Sequence, residues 1–325
     1  MTSAAAFEVS GDPSTSHKAA VQWLAEQRRR PIRAPHKIVE YGEVVISQGG
    51  LSSLPDEELW SILEQVGIAA IELARWDLAE LCIARVQSRF PASQRVASLQ
   101  GMLLEGKGEL SKALAFYDAQ LEEDNTSLVL SRRRIAAIKS LGTSHPRGGP
   151  KKAIEALNLH LDIFYQDPEA WQELAELYAD EGLYQQSAFA LEEVLLQVPQ
   201  NSFFHLKYAE TLYTAGDVGK AYKAYLRVLE MCQSDKGSGS SSTQNIGGPF
   251  ARALWGTKVT TSALLANTSL LRSSENSGAE DLDVSKVKKI DALVTSLLLN
   301  KVYAPSASSE ASKPLRDAVR AVLSA

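Results

Sequence analysis

Histidine is the side chain most often used for acid–base catalysis and metal binding near neutral pH, and it occurs five times in this chain of 325 residues. No histidine lies in a His-Glu-x-x-His or Cys-x-x-Cys spacing, which would place two ligands beside one metal ion. Two of them fall inside amphipathic helical stretches, where packed or surface histidines are the ordinary case. The five are His17, His36, His145, His160 and His205. We therefore predict no metal site and no cofactor.

The other sequence patterns that could carry chemistry are incomplete. Short glycine stretches with lysine occur at 106–108 and 147–152, but neither follows a strand pattern and no phosphate-binding Gly-x-x-x-x-Gly-Lys motif is present. The serines at 240–242 lie in a polar Gly/Ser segment without an adjacent base. Carboxylate pairs such as Glu192 and Glu193 lie on helices as solvated side chains. We predict that the protein is not an enzyme.

Composition and charge limit the classes of partner. Lys plus Arg is 34 and Asp plus Glu is 39, so the formal net charge is −5, whereas a general nucleic-acid binder carries a basic face and a high pI. Two cysteines, Cys82 and Cys232, exclude a disulfide scaffold and favour a reducing compartment. No apolar window is long enough for a spanning helix. The first ten residues lack a secretory pattern, so we expect a cytoplasmic protein without a membrane span.

A repeat of about 34 residues organises the middle of the chain. In its clearest copy, residues 167–199, Trp171, Leu174 and Tyr178 share one helical face, and Gly182 ends that helix. The spacings between equivalent small residues are 34, 40, 34 and 34, and an enlarged loop near residue 145 explains the excess of six. These small residues, where the second helix of each pair crosses the first, are Ala79, Ala113, Ala153, Ser187 and Ala221.

Helix pairs of this period must stack, because one pair cannot bury its apolar face alone. A turn residue recurs in phase between the two helices of each pair: Ala74, Gly108, Gly142, Gly182 and Gly216. We predict an all-α tetratricopeptide-repeat α-solenoid of about five helix pairs with N- and C-terminal capping helices. Beyond the repeats, we expect helices over 250–271, 282–301 and 314–323.

Composition also suggests domain boundaries. The predicted segments are a disordered arm at 1–16, N-terminal capping helices at 17–59, tetratricopeptide repeats at 60–232, a Gly/Ser linker at 233–248, and C-terminal helices with flexible breaks at 249–325.

The first helices of such repeats line an extended concave surface that binds a segment of another protein. We expect this groove to be basic near its middle, acidic beyond it and apolar at its end. Of its cationic positions, only Arg133 suits the clamp that grips a chaperone's C-terminal carboxylate, so charge disfavours that ligand. The predicted groove residues are Met102, Arg132, Arg133, Lys139, Gln172, Glu176, Asp180, Phe203, Leu206, Glu210 and Tyr213.

Longer segments carry a more specific resemblance. The stretch Asp167-Pro-Glu-Ala-Trp-Gln-Glu-Leu-Ala-Glu-Leu-Tyr, then Ala188-Phe-Ala-Leu-Glu-Glu, and also Trp76-Asp-Leu-Ala-Glu-Leu-Cys, resemble the family of subunit 2 of the endoplasmic reticulum membrane protein complex. The resemblance covers roughly residues 36–260. It implies a cytosolic scaffold, peripheral on the endoplasmic reticulum membrane, in a hetero-oligomeric insertase for tail-anchored and multi-pass proteins. The implied partners are cytosolic tails of integral subunits and a soluble subunit.

Two other functions remain open. One is a free cytosolic tetratricopeptide adaptor or co-chaperone, which would bind chaperone C-terminal peptides. The other is an RNA-processing repeat protein, suggested by the Arg132-Arg133-Arg134 run. The net negative charge makes the RNA-processing function the least favoured of the three, so we expect no nucleic-acid partner.

Overall fold

The computed structural model describes residues 11–47, 54–234, 248–271, 283–303 and 312–324. Those ranges contain fifteen α-helices and no strand, which confirms the all-α class. The helices are α1 (His17–Arg29), α2 (Pro35–Ser47), α3 (Asp56–Glu72), α4 (Trp76–Arg89), α5 (Gln94–Gly106), α6 (Leu110–Glu123), α7 (Leu128–Leu141), α8 (Pro150–Ile163), α9 (Pro168–Asp180), α10 (Tyr184–Gln197), α11 (Ser202–Thr214), α12 (Val218–Ser234), α13 (Pro249–Ala266), α14 (Val284–Leu297) and α15 (Ser312–Ser324).

Several predicted segments lie wholly or largely outside the described residues. They are 1–10 of the arm, 235–247 of the linker, and the breaks at 272–282 and 304–311. The predicted domain boundaries therefore stay predictions.

Local chemistry explains where the repeat helices begin. At α9, the Asp167 side chain accepts a hydrogen bond from the backbone N–H of Ala170 at 3.1 Å, and Pro168 occupies the first turn. An aspartate cap followed by proline is a strong start signal, because the cap satisfies an otherwise unpaired N–H and proline needs none. α11 begins similarly, with the Asn201 side chain accepting from the N–H of Phe203 at 3.0 Å.

Each predicted turn residue adopts a positive φ, as a short helix–helix turn requires. Ala74 has φ 57°, and it is the only residue other than glycine with a positive φ in the described ranges. The residue after the turn then donates its N–H to a carbonyl in the last turn of the first helix, which satisfies a helix-end acceptor. These bonds run from Arg75 to Ala70, Glu109 to Leu104, Leu183 to Tyr178, and Asp217 to Leu212.

The third pair keeps this bond although its loop is longer. Gly142 is the turn residue with φ 69°, but the N–H that reaches the Ile138 carbonyl, at 3.1 Å, belongs to Gly149. The six residues 143–148 are thus added between the turn residue and the donor. The enlarged loop is confirmed, and it leaves the closure of the helix pair unchanged.

Close helix crossing depends on the small residues identified from the repeat. All five are buried, with exposed fractions of 0–1%: Ala79, Ala113, Ala153, Ser187 and Ala221. A Cβ added at Gly101 would lie 2.2 Å from the ring of Tyr117, so only glycine admits that ring. The small-residue prediction is therefore confirmed.

The chain divides into two compact units, with the boundary between Ala156 and Leu157. In the first unit, Leu24 of α1 is buried in one cluster with Ile62 and Val66 of α3. In the second, Val294 of α14 is buried with residues of α11 and α13. The predicted capping helices thus pack on the repeat cores of their own units.

The C-terminal helices depart from the prediction in detail. The helix expected over 250–271 ends at Ala266, and a short 3₁₀ turn follows at Thr268–Leu271. The break is at Asn267, whose extended backbone and side-chain bond to the N–H of Ser269 (3.2 Å) form a local turn that competes with the helix. Across the described ranges, no helix has the length and apolar character needed to cross a membrane.

Candidate protein-binding surface

Charged side chains of successive first helices meet in ion pairs. In each pair the carboxylate lies on the earlier helix and the cation on the later one. We call these residues, with the predicted groove positions beside them, the first-helix face of each unit. The pairs are Glu64–Arg95 at 2.6 Å and Glu105–Arg133 at 2.9 Å in the first unit, and Glu176–Lys207 at 2.5 Å and Glu210–Arg252 at 2.8 Å in the second.

Arg133, the predicted clamp residue, already has intramolecular partners. Its guanidinium donates to one carboxylate oxygen of Glu105 at 2.9 Å, while the other oxygen accepts the hydroxyl of Tyr117. Tyr117 is fully buried, and burial together with the bond to Glu105 raises the pKa of its phenol. Arg133 therefore neutralises a carboxylate that the helix crossing holds in place.

The other predicted groove residues of the first unit differ in exposure. Met102 is half-buried and packs against the core of that unit. Arg132 is half-buried, whereas Lys139 is exposed on the last turn of α7. The structure places these side chains on α5 and α7 as predicted, but it does not reveal an open basic surface.

Asp118 on α6 ties the enlarged loop to the first unit. Its carboxylate accepts from Arg134 at 2.6 Å and from Arg147 of the loop. Burial alone would raise the pKa of Asp118, but the bonds and charges of the two guanidinium groups lower it below its usual value. Two residues of the basic run, Arg133 and Arg134, are thus paired with carboxylates.

In the second unit, the predicted acidic residues also have neighbours. Glu176 accepts from Gln172 at 3.2 Å on its own helix and from Lys207 of α11. Glu210 accepts two bonds from Arg252, at 3.1 and 2.8 Å. Exposed pairs of this kind contribute about 0–1 kcal/mol each, so an incoming charged segment could replace them at small cost.

The residues of the predicted apolar end differ in exposure. Phe203 and Tyr213 of α11 are 58% and 37% exposed. Leu206 is wrong as a groove residue: it is 2% exposed and lies in the core with Ala209 and Leu254. The physical reason is helical periodicity, since Leu206 and Ala209 are three residues apart and both face the core.

Three of the described histidines, His145, His160 and His205, have polar contacts with the chain itself. His145 and Ser111 approach to 3.4 Å, but the other ring nitrogen of His145 accepts from the backbone N–H of Arg147 at 3.2 Å. The ring nitrogen facing Ser111 then carries the proton in the neutral imidazole, so it cannot act as a base toward that hydroxyl. In the described ranges, no group of three or more His, Cys, Asp or Glu side chains could hold a metal ion.

His160 has a different role. It is buried, and its Nε2 lies 3.0 Å from a carboxylate oxygen of Asp167, whose other oxygen caps α9. His160 therefore braces the cap between α8 and α9, as expected for a packed histidine.

Sequence reasoning missed the ion pairs of the first-helix face. A signal was available, because the partners are separated by nearly one repeat: 31 residues for Glu64–Arg95 and Glu176–Lys207, and 28 for Glu105–Arg133. Opposite charges at that separation lie on adjacent first helices.

Comparison with known proteins finds a family model and relatives that resemble the repeats. Residues 78–216 match the family model of the EMC2 TPR-like repeat domain. The chain is 39% identical over 189 residues to ER membrane protein complex subunit 2-A of Xenopus laevis, a match that covers 58% of this chain and 61% of the relative. It is 31% identical over 182 residues to TPR repeat protein oca3 of Schizosaccharomyces pombe, covering 54% and 62%. The chain thus spans about three fifths of these relatives.

A solved structure supports the fold. The C-terminal part of a TPR repeat-containing protein from Cytophaga hutchinsonii superposes with a TM-score of 0.54 at 16% identity, covering 90% of this chain and 98% of that one. This likeness concerns the fold alone. Together with the family match, it confirms the predicted tetratricopeptide-repeat class and the predicted resemblance.

Proposed function

Since residues 78–216 match the EMC2 TPR-like repeat domain model, we propose that this chain is a cytosolic scaffold subunit of the endoplasmic reticulum membrane protein complex. In this role it supports an insertase for tail-anchored and multi-pass membrane proteins. It makes and breaks no covalent bond itself. The observation that carries the proposal is the family match over the repeats, together with relatives named as subunit 2 of that complex.

The scaffold attaches to the membrane through its partners. These are cytosolic tails and loops of integral subunits and a second soluble subunit, in a hetero-oligomer. The first-helix face supports this role because it combines exposed aromatic anchors with charges that are only weakly committed. Phe203 and Tyr213 supply the apolar contact, and the neighbouring Glu210–Arg252 pair can open toward a charged segment.

A free co-chaperone is the second candidate, and the geometry gives it less support. A carboxylate clamp needs cations that are open to the ligand. Arg133 is instead bonded to Glu105, and its side chain is 31% exposed. An RNA-binding role is weaker still, because Arg133 and Arg134 both neutralise carboxylates of the chain itself.

The test is purification of the tagged full chain from gently detergent-solubilised membranes, with the co-purifying proteins identified. We expect a stoichiometric set of integral endoplasmic reticulum subunits. The double variant Phe203→Ala/Tyr213→Ala should co-purify with fewer of these subunits. Leu196→Ala is the matched control, because it removes a 75% exposed apolar side chain from α10.

Recovery of soluble chaperones alone would support the co-chaperone role over the scaffold role. Recovery of no partner would contradict both. Salt-sensitive binding of the purified chain to RNA would support the third function.

A further inference from the structure

The second unit contains a pocket on another side of α9. It has a volume of about 370 Å³ and lies between α8, α9 and α10. Its walls include Asn158, Trp171, Tyr178, Gln186 and Phe189. This volume is within the range of about 300–1,000 Å³ that ligand pockets occupy.

One wall of the pocket is aromatic and held in position. The indole N–H of Trp171 donates to the carbonyl oxygen of Tyr165 at 2.9 Å, and that oxygen also accepts from the Gln197 side chain at 3.1 Å. The Trp171 ring meets Tyr165 and Phe189 edge to face, with centroids 5.8 and 6.3 Å apart. A wall fixed in this way loses little conformational entropy when a ligand binds.

The aromatic wall of the pocket is open to solvent at one residue. Phe189, which lines the pocket, is 56% exposed. An open site with apolar surroundings suits a chain segment better than a small molecule, which binds best when most of its surface is enclosed.

The polar groups of the pocket are neutral. No charged residue lines it; the polar side chains are the carboxamides of Asn158, Gln185 and Gln186 and the phenol of Tyr178. A carboxamide both donates and accepts, which matches the N–H and C=O groups of a peptide. Polyproline II segments leave their carbonyls without internal hydrogen bonds and dock in aromatic-lined grooves.

Within one helical turn of the pocket residues, the charges on the two outer helices are acidic: Glu155 and Asp162 on α8, and Glu192 and Glu193 on α10. Asp162 follows Asn158 by four residues on α8, and Glu193 follows Phe189 by four on α10, so each lies one turn beyond a pocket residue on the same helix face. Asp162 is exposed, and Glu193 accepts the hydroxyl of Tyr165. A ligand with a cation beside its apolar part is therefore complementary.

We propose that this pocket binds an extended, proline-containing segment of a partner protein, with Lys or Arg next to the prolines. The inference does not rest on the proposed scaffold role. Trp171 and Tyr178 point to a different side of α9 from Gln172 and Glu176 of the first-helix face, because the two sets differ by about 100–160° around the helix. Both surfaces can therefore be occupied at once.

The test uses the full-length chain and a fluorescein-labelled synthetic peptide, Lys-Pro-Pro-Ala-Pro-Pro-Lys, followed by fluorescence anisotropy. The same peptide with alanine at each proline, and one with glutamate at each lysine, are the ligand controls. We expect Phe189→Ala to weaken binding about tenfold or more and Leu196→Ala to change it by less than about twofold, since only Phe189 lines the pocket. Both variants remove an exposed side chain from α10, and a thermal melt verifies their folding.

A second variant tests the acidic rim without touching the aromatic wall. Asp162→Lys should lower the affinity for the lysine-containing peptide and leave the affinity for an uncharged proline peptide unchanged. The proposal is overturned if the proline and alanine peptides bind equally, if Phe189→Ala binds as the parent does, or if no peptide binds while an apolar dye does. Failure of this test leaves the scaffold proposal standing, because that proposal depends on the family match and on Phe203 and Tyr213 of α11.

Discussion

Arg133 and Glu105 join two successive first helices at 2.9 Å, and the same carboxylate accepts the hydroxyl of the buried Tyr117. A residue that charge alone would assign to a ligand thus completes a structural network. This arrangement explains why a count of groove charges overstates what the surface offers to a partner.

Arg133→Ala should therefore lower stability. Removing the guanidinium leaves a half-buried carboxylate with one partner fewer, and we expect a loss of about 1–2 kcal/mol in chemical denaturation. Arg95→Ala is the matched control, because Arg95 pairs with Glu64 but its side chain is 80% exposed; its loss should stay below about 0.5 kcal/mol. Equal losses in the two variants, or a large loss of affinity for an acidic chaperone peptide in Arg133→Ala, would contradict this role.

The turn residues give a reciprocal pair of substitutions. Ala74 has φ 57°, a region that costs a residue with a Cβ about 1–2 kcal/mol, so Ala74→Gly should stabilise the chain by about 0.5–1 kcal/mol after the greater freedom of the unfolded chain is counted. Gly182 has φ 76° with open space around it, so Gly182→Ala should destabilise the chain by about 0.5–1 kcal/mol, because backbone strain is partly offset by the lower freedom of the unfolded chain. Thermal and urea unfolding measure both. Shifts of the same sign would show that packing, not φ, decides these positions.

Asp118 gives a pH-dependent prediction. Its pKa in the folded chain is lowered from the usual 3.8 by Arg134 and Arg147, so its contribution to stability is present above that value and is lost as the pH falls through the folded pKa. Asp118→Asn should cost about 1–2 kcal/mol at neutral pH, and the difference from the parent should shrink below about pH 4. Urea titrations at several pH values measure it. A difference that persists unchanged at low pH would mean that the amide disturbs packing rather than charge.

The enlarged loop should be removable. Deleting residues 143–148 joins Gly142 directly to Gly149, which already donates the closing bond to Ile138. We expect the unfolding free energy to change by no more than about 1 kcal/mol, because the shorter loop costs less entropy and only exposed contacts are lost, those of Arg147 with Asp118 and of His145 with Ser111.

A slightly longer deletion is the control. Removing 143–149 places Pro150 at the donor position, where it has no N–H to give, so this variant should lose stability clearly. If the two deletions melt alike, the bond from Gly149 does not close the pair.

Local rules made much of the fold predictable. Positive φ at Gly108 and Gly182 follows from the need for a sharp turn, and the burial of Ala113 and Ser187 follows from helix crossing. Each depends on a residue type at a fixed distance from its neighbours. The repeat period therefore contains enough information to locate them.

The surface was less predictable because it depends on contacts between repeats. Whether Glu105 faces a ligand or Arg133 depends on the rotation of one first helix against the next, which periodicity does not define to within one residue. Leu206 was misplaced for a different reason, since its three-residue spacing from the buried Ala209 already indicated that it faces the core. The pocket beside Trp171 needed three helices in their final positions before its walls could be seen.

The polarity of the ion pairs has a consequence for how such an array changes in length. On α5, the cation Arg95 pairs with the preceding first helix and the carboxylate Glu105 pairs with the following one. On α11, Lys207 and Glu210 pair in the same way. The helix pairs that begin with α5 and α11 thus carry opposite charges toward their two neighbours. Duplicating or excising either of these pairs rejoins an acid with a base, so the gene can gain or lose such a unit without leaving an unmatched charge at the seam, whereas α7 carries Arg133 and no carboxylate and lacks this property.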